Sequence, residues 1–154
     1  MKKQKKYESS LKKAKHSLRS ADHLTYTTYQ VVRENKILLK ILEEIYNSIK
    51  LTINSVLQYE YLHKNIEIYK DPKENFKTFK KLSKKYGLKK EQLEKIIEIM
   101  EIGKKHRESP FEFGKKNKIV IMSGDKTDSI NIDKIKKYLI ETKDFVRKTE
   151  NRFE

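Results

Sequence analysis

The sequence has no cysteine and no tryptophan, and only 4 glycines, 2 prolines and 3 methionines in 154 residues. Without cysteine there can be no disulfide, no thiolate nucleophile and no cysteine-ligated zinc. So few glycines and prolines cannot supply the many tight turns of an all-β fold. No apolar run approaches the ~18 residues of a membrane-spanning helix. Met1-Lys2-Lys3 carries the charge of a signal-peptide start, but no apolar core follows, so a soluble cytoplasmic protein with no membrane partner is expected. Acidic residues are also scarce: 22 stand against 37 basic ones, a formal net charge of +15. That balance favours a polyanion as partner. Of the basic residues 32 are lysine, a bias that hot habitats also produce, which lowers its weight as a functional sign.

Ile, Leu, Val and Phe together number 41, enough for a core, so the charge does not imply disorder. One domain over residues 1–154 is expected. Tyr7, Leu11, Ala14, Leu18, Ala21, Thr25, Thr28 and Val32 alternate steps of four and three, which predicts a first helix over 4–32 with a heptad seam. Its small residues invite a close neighbour, either within the chain or in a second copy. A long helix over 36–69 is predicted from Leu38, Leu42, Ile45, Ile49, Ile53 and Val56, with Ile41, Tyr46, Leu57 and Ile66 widening its apolar face. Asp71-Pro72 should end it and start a third helix, with Asp71 as N-cap and Gly87 as C′. A fourth over 89–107 should bury Leu93, Ile96, Ile97 and Met100. Asn131 should cap a last helix burying Ile135, Leu139, Thr142, Phe145 and Val146. The expected fold is an all-α bundle of about five helices around the long one. A short irregular or extended segment lies near 111–128, with 118–123 the extended part.

Few motifs carry chemistry. Glu60-Tyr61-Leu62-His63 has the Glu-x-x-His spacing of di-iron bundles, but no second copy exists on another helix, so a histidine bonded to Glu60 or Glu67 is the simpler expectation. Asp22-His23 would be a base and its orienter only with suitable tertiary neighbours. No catalytic residue, metal ligand or cofactor is assigned. Residues 82–96 (LSKKYGLKKEQLEKI) resemble a helix-turn-helix unit, yet the second helix would turn Glu91, Glu94, Glu98 and Glu101 towards phosphates. The basic clusters say more. Lys77, Lys80, Lys81, Lys84 and Lys85 occur with no acid between them, and Lys104, Lys105, Arg107, Lys115, Lys116 and Lys118 flank the irregular segment. Tyr86, Phe111 and Phe113 are interleaved near them, and aromatics among lysines suit bases and phosphates.

The stretches SADHLTYTTYQVV, LLKILEEIYNSI, SVLQYEYLHK, KHRESPFEF and KIVIMS resemble small Lys-rich archaeal helical-bundle proteins, a likeness that brings no activity with it. A looser similarity is to HEPN domains, helical bundles that often dimerise and sometimes cleave RNA. Their Arg-to-His signature has four to six residues between; here Arg19 and His23 have three, and no histidine follows Arg107. The leading expectation is a non-enzymatic basic protein that associates with nucleic acid, RNA ahead of DNA, through the two lysine clusters just listed. The alternatives are a helical interaction or homodimerisation module and a divergent HEPN-type ribonuclease.

Overall fold

The computed structural model describes residues 5–108, 112–115, 118–123 and 126–154, with side chains at 5–106, 118–120 and 129–154. Helix α1 (Lys6–His23) continues through a π-helical turn (Leu24–Thr28) and a closing turn (Tyr29–Val31). Next come α2 (Asn35–Leu62), α3 (Pro72–Leu82) with a 3-10 turn (Ser83–Tyr86), and α4 (Lys90–Glu108). Strands β1 (Glu112–Lys115), β2 (Lys118–Ser123) and β3 (Lys126–Asn131) precede α5 (Ile132–Phe153). The expected all-α bundle is the architecture, and the central long helix is α2. Its predicted face is buried throughout, from Leu38 to Val56.

A second face of α2 is polar, with Ser48, Thr52 and Ser55 buried and Asn54 exposed at its margin. Ser48 Oγ donates to the Ala14 carbonyl at 2.9 Å, Ser55 Oγ to the Tyr7 carbonyl at 3.0 Å, and Asn54 Nδ2 to Ser10 Oγ at 2.8 Å. Numbers rise on α2 as they fall on α1, so the two helices form an antiparallel hairpin. Small residues on both sides let the backbones approach closely enough for hydroxyls to reach carbonyls. The seam of α1 is therefore spent within the chain. Helix α5 lies antiparallel to α1, with Lys15 paired to Glu150 and Asp22 to Lys143, each at 2.5 Å.

Several boundaries and phases differ from expectation. A π turn takes i to i+5 hydrogen bonds and holds one residue more than an α turn. The heptad seam consequently loses phase at Thr25: Tyr29 turns inward at 2% exposure, while Val32 is 38% exposed. The long helix stops at Leu62, not at 69, in a Schellman closure. Asn65 N–H reaches the Glu60 carbonyl at 2.9 Å and Lys64 N–H the Tyr61 carbonyl at 3.0 Å. Lys64 takes the left-handed position (φ 60°) that glycine normally fills, at a cost of roughly 1 kcal/mol. No glycine announces this stop. In α4 the buried stripe is Gln92, Ile96, Ile99 and Ile102, with Leu93, Ile97 and Met100 only half-buried. A Cβ on Gly103 would lie 2.1 Å from Cδ2 of the Tyr46 ring, so that glycine lets α4 settle onto α2 on this side.

Other local signals are met. Asp71 Oδ1 accepts from Lys73 N–H at 3.0 Å, Gly87 has φ 74°, and Asn131 Oδ1 accepts from Lys134 N–H at 2.9 Å. Helix α5 buries the expected residues and runs four residues past Thr149. The extended segment 118–123 has partners on both sides, forming a three-stranded antiparallel meander in the order β1-β2-β3. Ile119 pairs with Ile130, both buried, and β2 packs against α2 and α4.

Candidate nucleic-acid interface

At the C-terminal end of α2, Glu60 is wholly buried. It accepts from Asn65 Nδ2 at 2.6 Å, from Lys85 Nζ at 3.1 Å and from Tyr86 Oη at 3.1 Å. Burial alone would raise its pKa, but the hydrogen bonds and the Lys85 charge outweigh that and hold the carboxyl below its usual range. Burial, together with the Glu60 charge and hydrogen bond, pushes the Tyr86 phenol up, so it stays a donor. One carboxylate thus fastens the closing turn of α2 to the 3-10 turn that carries Lys84 and Lys85.

Around this tie stands a column of rings. Tyr86 lies 6.2 Å from Phe153, edge to face. Phe153 stacks on Tyr59 at 4.4 Å and 23°, and Tyr59 on His63 at 4.3 Å and 35°. Tyr7 stands edge-on to both Tyr59 and Phe153 at 5.0 Å. Four elements meet here: the N-terminus of α1, the C-termini of α2 and α5, and the 3-10 turn. The column begins buried at Tyr86 and ends exposed at His63. His63 Nδ1 lies 2.8 Å from the Tyr59 carbonyl, which fixes the ring. It bonds neither Glu60 nor Glu67 as the sequence had suggested, because the Schellman closure turns Asn65 onto Glu60 instead. Tyr61 and Leu62, each about half exposed, add apolar surface to the same end.

Helix α3 sets the lysines. Lys73, Lys77, Lys80, Lys81 and Lys84 are all exposed and follow at steps of four, three, one and three, so they form one stripe. Phe79, Ser83 and Tyr86 occupy the inner side. Lys77 pairs with Glu74 at 3.3 Å, and Lys80 Nζ lies 5.5 Å above the Phe76 ring. Lys85 leaves the stripe to bind Glu60. Lys73 belongs to it, although Glu74 beside it hides the continuity in the sequence.

The second cluster lies elsewhere. Gly103 meets Tyr46, and Tyr46 to Glu60 is 14 residues of α2, about 21 Å along its axis. Lys104 is exposed and Lys105 half-buried, and Lys118 opens β2. The side chains of Arg107, Lys115 and Phe113 lie outside the described residues, as do Lys116 and Phe111.

The other motifs gather nothing. No group of His, Asp and Glu among the described residues could hold a metal. Asp22 pairs with Lys143, which leaves His23 without an orienter from that side. Helix α4 presents Glu91, Glu94 and Glu101 to solvent, the wrong sign for a recognition helix. Its Gln92 ties to α5 instead, donating to Asp144 Oδ2 at 2.9 Å and accepting from Lys148 Nζ at 2.9 Å. Burial opposes ionisation of Asp144, but Lys148, Arg147 and Gln92 prevail and bring its pKa down to about 2. No described helix is long and apolar enough to cross a membrane. No protein-family model, curated protein or solved structure matches the chain.

Proposed function

We propose that this is a non-enzymatic protein that associates with nucleic acid, RNA in preference to DNA, through the lysine stripe of α3. The observation that carries the reading is the exposure of Lys73, Lys77, Lys80, Lys81 and Lys84 on one side of a helix whose other side is core. A stripe from 73 to 84 spans about 16 Å, so it can follow a phosphate backbone rather than grip one anion. Charges this exposed are well hydrated and contribute little to folding, so stability does not account for gathering them. Lysine without a bidentate fork binds phosphate as a point charge, which implies little sequence preference. The test is a salt titration of binding to a mixed-sequence RNA single strand. Log affinity should fall linearly with log salt, at about 0.7 per phosphate contacted. A slope near zero, or no micromolar binding at moderate salt, contradicts the reading. In that case the exposed Tyr26 and Ile140, at 48% and 60%, favour an interaction module.

A further inference from the structure

The ring column at the end of α2 runs past the core to an exposed residue. A sealed core needs Tyr7, Tyr59 and Phe153, which fill the gap between α1, α2 and α5. It does not need an exposed imidazole stacked on the outside, held by a hydrogen bond to the Tyr59 carbonyl. The His63 ring lies 4.3 Å from the Tyr59 ring at a tilt of 35°, and the residue is exposed.

Several lysines border this end of the molecule. Lys64 is exposed in the next position, fixed in a left-handed turn. Glu60 draws the 3-10 turn to within hydrogen-bonding distance of α2, which brings Lys84 and Lys85 to the same end. Lys5, whose ammonium lies 5.8 Å from the Tyr7 ring, borders the column from α1. Of the acids at this end, Glu60 is wholly buried and committed, Glu150 is paired with Lys15, and the exposed Glu8 and Glu154 lie beside Tyr7 and Phe153 in a groove that also holds Lys12, Lys15 and Arg19. A flat aromatic ligand of negative charge fits this arrangement.

We infer that His63 is a stacking platform for one unpaired base, placed where the phosphate track of α3 ends. This rests on the nucleic-acid reading and specifies its substrate as single-stranded. Bases in a duplex have both faces covered, whereas an unpaired base can lie on an aromatic ring. The platform is independent of sequence because every base has a π-face. Lys64 and Lys84 then meet the phosphates flanking the stacked nucleotide. Glu60 and Asn65 act as positioning residues, holding the platform and the track together.

The experiment compares four ligands on the full chain: a mixed RNA single strand, the matching DNA single strand, an RNA duplex and inorganic polyphosphate. His63→Ala should weaken both single strands by about tenfold, the effect of losing one stacked base. It should leave duplex and polyphosphate unchanged, since those ligands offer charge alone. His63→Phe should restore single-strand binding, because a ring suffices. Asn65→Ala should weaken single strands in the same selective way through looser positioning of the turn. Equal loss on all four ligands, or none on single strands while replacing Lys77, Lys80, Lys81 and Lys84 with glutamine still weakens them, overturns the platform and leaves the lysine reading standing. Single-strand binding that survives loss of the stripe overturns both.

Discussion

Glu60 has no exposed surface and three donors, and its neighbours depend on it. Replacing it with alanine leaves Lys85 and Tyr86 without their acceptor and frees the turn at Lys64. The expected loss is about 2 kcal/mol, below the 3–5 of a fully buried pair because Lys85 keeps solvent contact. Denaturant unfolding reads this directly, and a loss under about 0.5 kcal/mol would mean that the tie is not structural. Both Glu60 and Asp144 have folded-state pKa values below their ordinary range, with Asp144 at about 2. The folded state therefore binds fewer protons than the unfolded chain. Their stabilisation is complete above the ordinary carboxylate pKa near ~4 and fades as pH falls towards ~2. Thermal midpoints should hold steady from neutral pH to ~5 and then drop. Asp144→Asn should flatten part of that drop, and an unchanged acid slope in that variant would contradict the assignment. Gly103 poses the opposite test, since alanine improves helix propensity by about 1 kcal/mol elsewhere. Here the added methyl meets the Tyr46 ring, so Gly103→Ala should destabilise by about 1–3 kcal/mol. Adding Tyr46→Leu should recover most of that, and simple additivity in the cycle would show that the two do not touch.

At the scale of elements, periodicity was legible wherever one face alone was apolar. The α2 face from Leu38 to Val56 and the α5 face from Ile135 to Val146 fall as their spacing predicts. Helix α4 has a wide apolar arc opposite its exposed glutamates, with Leu93, Ile97 and Met100 beside Ile96 and Ile99, so spacing alone left its phase open and tertiary packing on Tyr46 decided it. The stop at Leu62 was hidden because a lysine, not a glycine, takes the left-handed position. The meander was half legible: KIVIMS reads as a strand, but β3 is polar (KTDSIN) and β1 is four residues long. The π turn is an extra residue that no hydrophobic pattern marks. Deleting the exposed Thr27 should return that turn to α geometry while leaving Ala21 and Tyr29 facing inward. Helix content should stay constant and stability change by under about 1 kcal/mol, roughly 2–4 °C in Tm. Loss of cooperative unfolding would mean that the π turn is essential.

Across the whole molecule, +15 charges do not by themselves locate a site, and composition could go no further than naming a polyanion. The α3 cluster was readable because one helix carries it, and its departures had three-dimensional causes: Lys85 turns to Glu60, and Lys73 joins from the first turn. The platform was unreadable, since His63, Tyr59, Phe153, Tyr7 and Tyr86 come from four separate elements. The sequence also could not show that Lys85 and Gly103, the neighbour of Lys104, meet α2 at points about 21 Å apart along its axis. The most direct measurement is RNA single-strand affinity against salt for two variants of equal charge. One replaces Lys77, Lys80, Lys81 and Lys84 with glutamine; the other replaces Lys36, Lys40, Lys50 and Lys137, which are also exposed. The stripe variant should bind at least tenfold more weakly and lose about 0.7 of log-log slope for each phosphate contact removed, with helix content unchanged. The second variant should stay close to the parent. Equal losses from the two would contradict a localised interface and reduce the binding to diffuse charge.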